Sequence, residues 1–599
     1  MTQHPGKREW PPDCLDIDSD AAASRSRRRR LWRSRSSAAE DGPSTLEEVL
    51  SSNAEAARRC LRYSCQSGKH VLRQNLETLA RSGIVISTSY SGTKCLELSC
   101  KEIISCVQDE FRLDPCDRGK CVIWAACDKD PAAQRVLLAG PEHAKPMHVF
   151  SDVLDRLFLP DKERLLQIQA KYLSLWAGHQ LEKRSGGVTD RELSEISSRM
   201  GNDMLKEMSE ILETSEFASH VTCLRHPDRI GGCPVSPRLS ADPNIAKSFW
   251  MEGAGSTCTS WSVANQQAGG WMSESTLPFL VWLYSTRYME PQMGLHECVK
   301  GFPESALKRV LGCPAEKCLK APEALPLGDI DPADEASGYE VMSHVFSPCD
   351  LGIPVRRTRK YSSFHLRRFI SGGTLEEVGF ADMLFTNMRV AGSIYLVAPD
   401  KAQKVEFAEV RSKYVKKKAP RRVISDVDDA KSTDIMLEPG DYQRLEGWKL
   451  AAIHAGLCEV DQSQLSSDSA SAGQWKVPLA VVNVSQSAAR HDGRGICGID
   501  TQMMPTLLPG SVLVDLCRER VIFAAEMWIM HGYPHPDFAQ VSPSAARLFP
   551  CPELVQADQT CSKADHFNSA EQRRLVGNSM HWAQVGAWFL YNAACATRV

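Results

Sequence analysis

The sequence predicts an α/β fold, in which a doubly wound, mostly parallel sheet carries a helical insertion and a smaller second domain. The first observation is a strand, a Ser-Gly turn and a helix that follow one another between residues 83 and 107. A second apolar strand comes next at 121–128, a third at 148–153, and two stretches with helical spacing fill 154–245. Strand, turn, helix and strand in this order open a sheet whose parallel strands are joined by crossover helices.

Composition sets the broad class of the protein. The chain has 599 residues, of which 43% are hydrophobic, enough for the cores of about two to four domains. The formal net charge of −3 excludes a globally basic protein, so any nucleic acid must be bound through local patches. The 22 cysteines form no paired CxxC pattern, so we expect a reducing compartment and no metal site. No apolar run reaches the roughly 18 residues of a membrane-spanning helix.

Changes of composition divide the chain into segments. Residues 1–44 are rich in Ser, Arg, Asp and Pro, which predicts a disordered tail. Its basic cluster RSRRRRLWRSR suits nuclear import or phosphate contacts, although a solvated tail without a partner has the same composition. Short strands and turns are expected after residue 366, and a helical pattern from 512. The predicted segments are a helical one at 45–82, a main domain at 83–361 with the insertion at 154–245, a second domain at 362–511, and a return to the main domain at 512–599.

Polar residues stand where three successive strands are predicted to end. The first strand ends at Tyr90, Ser91 and Gly92, the second at Asp128 and the third at Asp152. Ligands of doubly wound sheets bind at the carboxyl ends of the strands, where glycine permits close backbone approach and a carboxylate accepts hydrogen bonds from ribose hydroxyls. Taken alone, the glycine is explained by an ordinary turn and each acid by a helix cap. The three strand ends together favour a cofactor that contains a nucleoside.

Four later segments follow one another in a recognisable order. They read GAGSTCTSWSVANQQAGG at 253–270, MGLHECVKGF at 293–302, LGIPVRRTRKY at 351–361 and LVGNSMHWAQVGAWFL at 575–590. In that order they resemble the catalytic Cys loop, the Glu-Asn-Val motif, the Gln-x-Arg-x-Arg motif and the closing Gly-Asn-Ser motif of the cytosine-5 DNA methyltransferase family. The three strand ends are similar to the opening motifs of that family, so the resemblance runs from residue 83 to the C-terminus.

The resemblance implies a Rossmann-like class I methyltransferase fold, with S-adenosylmethionine as cofactor and 362–511 as the target-recognition domain. It implies that Cys258 is the nucleophile and that Glu297, Arg357 and Arg359 serve the base. Without the family pattern, this glutamate is better explained as a solvated loop acid, and surface ion pairs also explain these arginines. The cofactor-binding residues that it implies are Tyr90, Ser91, Gly92, Asp128, Asp152, Leu277, Asn578 and Ser579.

The chemistry of that family requires these residue types. Carbon 5 of cytosine is a poor nucleophile toward a sulfonium methyl group. A thiolate that adds to carbon 6 makes the ring enamine-like and moves electron density to carbon 5. A protonated glutamate, here Glu297, donates to ring nitrogen 3 and stabilises the charge that builds, while Arg359 holds the exocyclic oxygen. Because a duplex hides carbon 6, the base must be flipped out of the stack.

The motifs depart from the family pattern at supporting positions. Thr257 replaces the proline before the nucleophile, Cys298 replaces the asparagine of Glu-Asn-Val, and Val355 replaces the glutamine of the arginine motif. Lys94 and Cys95 replace glycines, and we expect them to crowd the methionine part of the cofactor. Because the reacting groups are retained, the pattern predicts a slow or specialised enzyme. The alternative is a non-catalytic methyltransferase relative that binds nucleic acid or a partner.

One basic run in the second domain suits a nucleic-acid backbone. RSKYVKKKAPRR, at 411–422, presents Lys416, Lys417, Lys418 and Arg421 to phosphates, although a solvated loop explains it as well. The length of the second domain and the basic tail favour DNA as substrate and the nucleus as compartment. RNA, as in the tRNA branch of the family, and the cytoplasm are the alternatives. A dinucleotide-dependent oxidoreductase is disfavoured, because no GxGxxG follows the first strand.

Overall fold

The computed structural model describes residues 40–257, 259–262, 269–312, 338–367, 369–371, 379–417, 433, 436–459, 474–486, 488, 496, 502–538, 549–555 and 566–598. Within these ranges, no helix combines the length and the apolar character needed to cross a membrane. The domain boundaries drawn from composition stay predictions.

The first half of the main sheet follows three helices, α1 (Leu46–Leu50), α2 (Ser52–Gln66) and α3 (His70–Ser82). Strands and helices then alternate as β1 (Ile84–Ser89), α4 (Cys95–Glu110), β2 (Cys121–Cys127), α5 (Pro131–Leu138) and β3 (His148–Phe150). The β1 sequence IVISTS is rich in β-branched residues and buried at every position, as expected for a central parallel strand. The third strand ends earlier than predicted, at Phe150.

Two long helices and a hairpin follow β3. They are α6 (Leu159–Arg184), α7 (Asp190–Leu212), β4 (His220–Val221), β5 (Cys233–Pro234) and α8 (Pro243–Ala246). A capping box starts α7, because the Thr189 hydroxyl accepts from the Glu192 N–H and the Glu192 carboxylate accepts from the Thr189 N–H. The long helices agree with the sequence, whereas the hairpin was not predicted.

The second half of the sheet consists of β6 (Trp250–Gly255), α9 (Thr276–Met289), β7 (Met293–Val299), α10 (Ser305–Val310), β8 (Tyr339–Phe346) and β9 (Arg359–Leu366). The strand order is β3-β2-β1-β6-β7-β9-β8. The first five strands are parallel, and β9 is antiparallel to both of its neighbours. The predicted fold class is therefore confirmed: a doubly wound, mostly parallel α/β sheet of the Rossmann-like type.

The segment after the sheet contains more helix than the sequence predicted. Its elements are β10 (Ile370–Ser371), α11 (Phe380–Leu384), α12 (Asp400–Lys417), α13 (Pro439–His454), β11 (Cys458–Glu459), β12 (Gln474–Trp475), β13 (Val481–Asn483), β14 (Leu513–Asp515) and β15 (Arg520–Val521). The prediction of only short strands and turns was wrong for α12 and α13. Their apolar residues do not gather on one face, so helical periodicity is weak although Ala, Glu and Lys favour a helix.

The chain returns to the main sheet through α14 (Ala524–Met530), α15 (Pro552–Val555), α16 (Ser569–Asn578), α17 (Trp582–Cys595) and β16 (Thr597–Arg598). The helical pattern predicted from 512 thus begins only at Ala524, after β14 and β15. Helix α17 is almost wholly buried against α2, α3 and α4. A Cβ on Gly586 would collide with the Asn53 side chain, so only glycine permits this close approach to α2.

Alternating side chains of β1 divide the main core between the two faces of the sheet. Ile84 and Ile86 join the cluster formed with α2, α3, α4 and α17, whereas Val85 joins the cluster formed with α6, α7 and α9. A separate cluster around Trp448 connects α13 to β13 and β14. The segment beyond the sheet therefore has a hydrophobic core of its own.

Candidate active site

The turn after β1 forms the first part of the candidate cofactor site. Tyr90 and Gly92 both have positive φ, at 58° and 52°, so the chain reverses sharply before α4. The Ser91 N–H donates to the Cys127 carbonyl at 3.1 Å and ties the turn to the end of β2. A Cβ on Gly92 would meet nothing closer than the Tyr90 carbonyl, at 4.0 Å. The space above this turn is therefore open to a ligand.

Asp128 follows β2 and lies against the same turn. Its Oδ2 accepts from the Gly92 N–H at 2.8 Å, and its Oδ1 accepts from the Asp130 N–H at 2.9 Å. A carboxylate has about four acceptor positions, so about two remain for the hydroxyls of a ribose. Burial raises the pKa of Asp128 above its ordinary value, and the two backbone N–H donors oppose that shift.

Asp152 follows β3, the strand next to β2, and Leu277 lies at the start of α9. The Oδ1 of Asp152 accepts from the Leu154 N–H at 3.0 Å and caps a 3₁₀ turn, while its Oδ2 lies 3.7 Å from Lys129 Nζ. Asp152 is thus a helix cap whose second oxygen remains near the surface, with the side chain 20% exposed. Leu277 is completely buried in the first turn of α9, so it packs in the core rather than facing open space.

A buried polar atom without a hydrogen bond needs a partner, which can be a water, an ion or a ligand. The Tyr90 hydroxyl is such an atom, because it is buried and has no hydrogen-bond partner among the described residues. The Asp128 and Asp152 carboxylates are among the electrostatic neighbours of this hydroxyl. These groups fit the nucleoside part of S-adenosylmethionine.

The expectation that Lys94 and Cys95 crowd the cofactor is not met for Lys94. Its φ is 59°, and its buried Nζ donates to the Ala139 carbonyl at 2.6 Å and to the Pro550 carbonyl at 3.3 Å. The lysine therefore links α4 to the chain after α5 and to the chain before α15. Cys95 begins α4 and is buried, which raises the pKa of its thiol.

Glu297 and Arg359 face each other near the end of β7. Arg359 Nε lies 3.1 Å from Glu297 Oε1, and the two side chains are only 11% and 10% exposed. The atoms attract but are not aligned as a hydrogen bond, so neither has a hydrogen-bond partner among the described residues. Antiparallel pairing of Val299 with Arg359 and of Glu297 with Tyr361 fixes the arrangement. The structure thus brings together two of the predicted catalytic residues.

Cys258 lies outside the described residues, but the chain is described as far as Thr257. Strand β6 ends at Gly255, which pairs with Glu297, so the next loop leaves the sheet beside that carboxylate. Ser256 holds the start of the loop, because its Oγ lies 2.8 Å from His296 Nε2. Three residues of chain span at most about 11 Å, which limits the distance of Cys258 from the end of β6.

Arg357 has a different environment from Arg359. Its Nη2 donates to the Ser579 carbonyl at 2.6 Å, and its Nη1 donates to the Leu507 carbonyl at 3.3 Å. The side chain is buried and connects the residues before β9 to the Gly-Asn-Ser segment. Although the sequence prediction counted Arg357 as catalytic, its described hydrogen bonds are those of a positioning residue.

The Gly-Asn-Ser segment returns to the edge of the sheet that carries the site. Asn578 ends α16 with an exposed side chain, and the buried Ser579 hydroxyl donates to the Val576 carbonyl at 2.8 Å. A Cβ on Gly255 would collide with the Met580 side chain. Met580 therefore packs directly on the end of β6, next to the loop that carries Cys258.

Some neighbours of the site were not predicted. The Tyr533 and Thr93 hydroxyls form a hydrogen bond that fastens the chain after α14 to the turn after β1. His531 and His581 are completely buried, with ring centroids 6.0 Å apart. Burial, with the nearby Arg357 guanidinium, lowers the pKa of His581 to about 3, so its ring is neutral. The HGYP and SMHW segments carry these histidines, but an isolated histidine between apolar residues more often belongs to a core.

The predicted nucleic-acid contacts are only partly within the described chain. Lys416 and Lys417 are the last residues of α12, so the basic run begins on a helix rather than in a loop. Lys418 and Arg421 lie outside the described residues. The phosphate contacts stay a prediction.

No family model and no curated protein matches this chain. It is similar to solved structures of methyltransferases, each of which aligns with 85% of this chain and 98% of its own. These are S. pombe Dnmt2 methyltransferase (12% identity, TM-score 0.31), Entamoeba histolytica methyltransferase EhMeth (10%, 0.31) and a putative DNA modification methyltransferase encoded within an E. coli prophage (12%, 0.34). Sequence identities and TM-scores this low say nothing about the activity of this chain.

Proposed function

We propose that this protein is an S-adenosylmethionine-dependent methyltransferase that methylates carbon 5 of cytosine in DNA. The observation that carries the proposal is the Glu297–Arg359 pair beside the end of β6. The pair lies at the carboxyl ends of the parallel strands, as do the open turn at Gly92 and Asp128. A carboxyl and a guanidinium that can hold a base thus neighbour groups that can hold a nucleoside cofactor.

Each cofactor contact in this proposal uses an unused polar group. Asp128 accepts hydrogen bonds from the ribose through its two remaining acceptor positions, and the Tyr90 hydroxyl gains a partner. Asp152 is the next acid along the edge. S-adenosylmethionine supplies the methyl group when it is bound.

The base chemistry belongs to the neighbouring part of the edge. The Cys258 thiolate adds to carbon 6 of a flipped cytosine and forms a sulfur–carbon bond. Glu297, in its protonated form, donates to ring nitrogen 3, and Arg359, whose Nε lies 3.1 Å from Oε1 of that carboxyl group, holds the exocyclic oxygen. After methyl transfer, a base takes the proton from carbon 5, and its electrons reform the ring double bond as the sulfur–carbon bond breaks.

In this proposal, Arg357 binds the backbone carbonyls of other segments and does not contact the base. It holds the Ser579 carbonyl, and the next residue, Met580, packs on the end of β6. An alteration at Arg357 would therefore shift both the Gly-Asn-Ser segment and the start of the Cys258 loop. We propose that it positions the loop.

DNA is the proposed substrate, because a segment with its own core and a basic run accompanies the catalytic sheet. The first part of the basic run, 411–417, forms the end of α12. In this proposal the run meets the phosphate backbone beside the flipped base. The nucleus is the proposed compartment, on the basis of the basic cluster at 25–35. RNA remains the other outcome of the test.

The test combines methyl transfer with covalent trapping. Tritiated methyl transfer from S-adenosylmethionine is measured with DNA, with tRNA and without a substrate. DNA that contains 5-fluorocytosine should trap the enzyme in a denaturant-resistant adduct, because the fluorine replaces the proton that must leave carbon 5. Cys258→Ser should abolish the adduct, and Cys116→Ser, an exposed cysteine elsewhere, should not.

Glu297→Gln gives a second variant for this test. It should slow adduct formation strongly and leave cofactor binding unchanged, because its partner is the base. If the wild type binds S-adenosylmethionine and DNA but forms no adduct, the enzyme proposal fails and the non-catalytic relative is the better account. Transfer to tRNA alone would move the substrate to RNA.

A further inference from the structure

Four side chains with metal-ligating atoms meet beside β3, the outermost strand of the main sheet. Three strands separate β3 from β7, which carries Glu297. His148 begins the edge strand β3, and Cys233 begins β5 of the hairpin that follows α7. Cys223 and His226 lie in the loop between β4 and β5. The ligating atoms of these four residues all lie within 4.8 Å of one another. The sequence prediction included no metal ligand.

The separations suit a tetrahedral ion. His226 Nδ1 lies 3.5 Å from the Sγ atoms of both Cys223 and Cys233. With Zn–S bonds of about 2.3 Å and Zn–N bonds of about 2.0–2.1 Å, the S···N edge of a regular tetrahedron is about 3.6 Å. Two thiols and two imidazoles are also the mixed soft and borderline ligand set that favours zinc over calcium or magnesium.

Burial provides a second, independent observation. His148, Cys223 and Cys233 are 5%, 1% and 0% exposed, and only His226 reaches solvent. The Nδ1 atom of His148 is buried and has no hydrogen-bond partner among the described residues. An imidazole nitrogen left unsatisfied beside two thiols is costly unless a ligand occupies the space between them.

Donors around the sulfur atoms fit thiolates better than thiols. The Val149 N–H donates to Cys223 Sγ at 3.4 Å, and an Arg229 Nη1 donates to Cys233 Sγ at 3.7 Å. Such outer N–H groups commonly orient and stabilise metal-bound thiolates. A disulfide between the two cysteines would use both sulfurs, but it would leave the two histidines unexplained.

We propose that Cys223, His226, Cys233 and His148 bind one Zn²⁺ ion in a closed, structural site. Four protein ligands leave no open coordination position, so the ion does not take part in the chemistry at Cys258. It fastens the β4–β5 hairpin to β3, where the Leu224 N–H already donates to the Val149 carbonyl at 2.8 Å. The proposal does not depend on the methyltransferase assignment.

The spacing explains why the sequence did not reveal this site. Cys223, His226 and Cys233 form a Cys-x2-His-x6-Cys segment that resembles no paired CxxC pattern. The fourth ligand comes from His148, which precedes both long helices of the insertion. Only the return of the hairpin to β3 brings it into range.

Elemental analysis of the full chain, purified without a metal-affinity resin, tests the proposal. The wild type should contain one zinc ion per chain, and Cys223→Ser/Cys233→Ser should contain none. Cys65→Ser/Cys116→Ser, which alters two exposed cysteines elsewhere, is the matched control and should keep its zinc. Zinc retained in the first double variant, or absent from the wild type, would overturn the proposal.

Two measurements on the wild type avoid dependence on the folding of a variant. Exchange of the ion for Co²⁺ should give the visible absorption bands of a tetrahedral cobalt–thiolate centre, and removal with a chelator should increase hydrogen exchange at 220–235 but not in α13. A featureless cobalt spectrum would contradict the four ligands. A Cys223–Cys233 disulfide found by mass spectrometry of unreduced protein would replace the metal site with a redox pair.

Discussion

Asp128→Ala tests the cofactor side of the proposed site at its most constrained residue. The carboxylate accepts from the Gly92 N–H at 2.8 Å and the Asp130 N–H at 2.9 Å, which leaves about two acceptor positions for ribose hydroxyls. A hydrogen bond to a charged group contributes about 1.5–3 kcal/mol. Loss of one such bond should therefore raise the Kd for S-adenosylmethionine roughly 10- to 150-fold, as measured by isothermal titration calorimetry.

The substitution also removes the acceptor of two backbone N–H groups, so a weaker affinity alone does not identify the ribose. A cofactor analogue without the ribose hydroxyls separates the two effects. The wild type should bind this analogue more weakly than S-adenosylmethionine, whereas Asp128→Ala should bind the two equally.

Asp117→Ala is the control, because this exposed acid lies before the amino end of β2, whereas Asp128 follows the carboxyl end of that strand. Its affinities should equal those of the wild type. If Asp128→Ala discriminates between the cofactor and the analogue as strongly as the wild type does, Asp128 does not bind the ribose and the reasoning fails.

Three further results are expected. Replacing Lys416, Lys417 and Lys418 by alanine should lower the salt slope of DNA binding by about 2.7, and an unchanged slope would assign the run to solvent. Thr257→Pro should raise the single-turnover rate of methyl transfer by stiffening the Cys258 loop, with an unchanged Kd for the cofactor; an equal or slower rate would contradict this role. Glu97 is completely buried in the first turn of α4, and burial raises the pKa of its carboxyl group from 4.5 to about 6, so the folded state holds this proton more tightly than the unfolded state. The carboxyl should therefore lose about 2 kcal/mol of its contribution to stability as the pH rises from about 4.5 through 6. Glu97→Gln should reduce the fall in melting temperature between pH 5 and pH 7, and an identical fall would refute the assignment.

The parts of the fold that the sequence predicted well are those that depend on local pattern. The run IVISTS has no polar face, so it indicates a strand covered on both sides, and it became β1. The resemblance to the methyltransferase family implied a shared role for Glu297 and Arg359, and antiparallel pairing of β7 with β9 brings Arg359 Nε to 3.1 Å from Glu297 Oε1.

The parts that the sequence did not predict depend on contacts between distant segments. Lys94 occupies a glycine position of the family motif, but its charge is bound by carbonyls of Ala139 and Pro550 that no local pattern foretells. The role of Arg357 likewise depends on the Ser579 carbonyl, more than two hundred residues further along the chain. Helices without an apolar face, such as α12, leave too little periodicity to be recognised.

The burial of α17 has a consequence for how the protein folds during synthesis. Trp582 donates to Glu102 of α4 at 2.6 Å, and Asn75 of α3 donates to the Ala594 carbonyl at 2.8 Å. The apolar surface of α2, α3 and α4 that α17 covers therefore stays exposed until α17, which follows Glu102 by 480 residues, has been synthesised. Contacts of such long sequence separation form slowly and expose apolar surface in the meantime. We expect the nascent chain to need a chaperone until α17 docks.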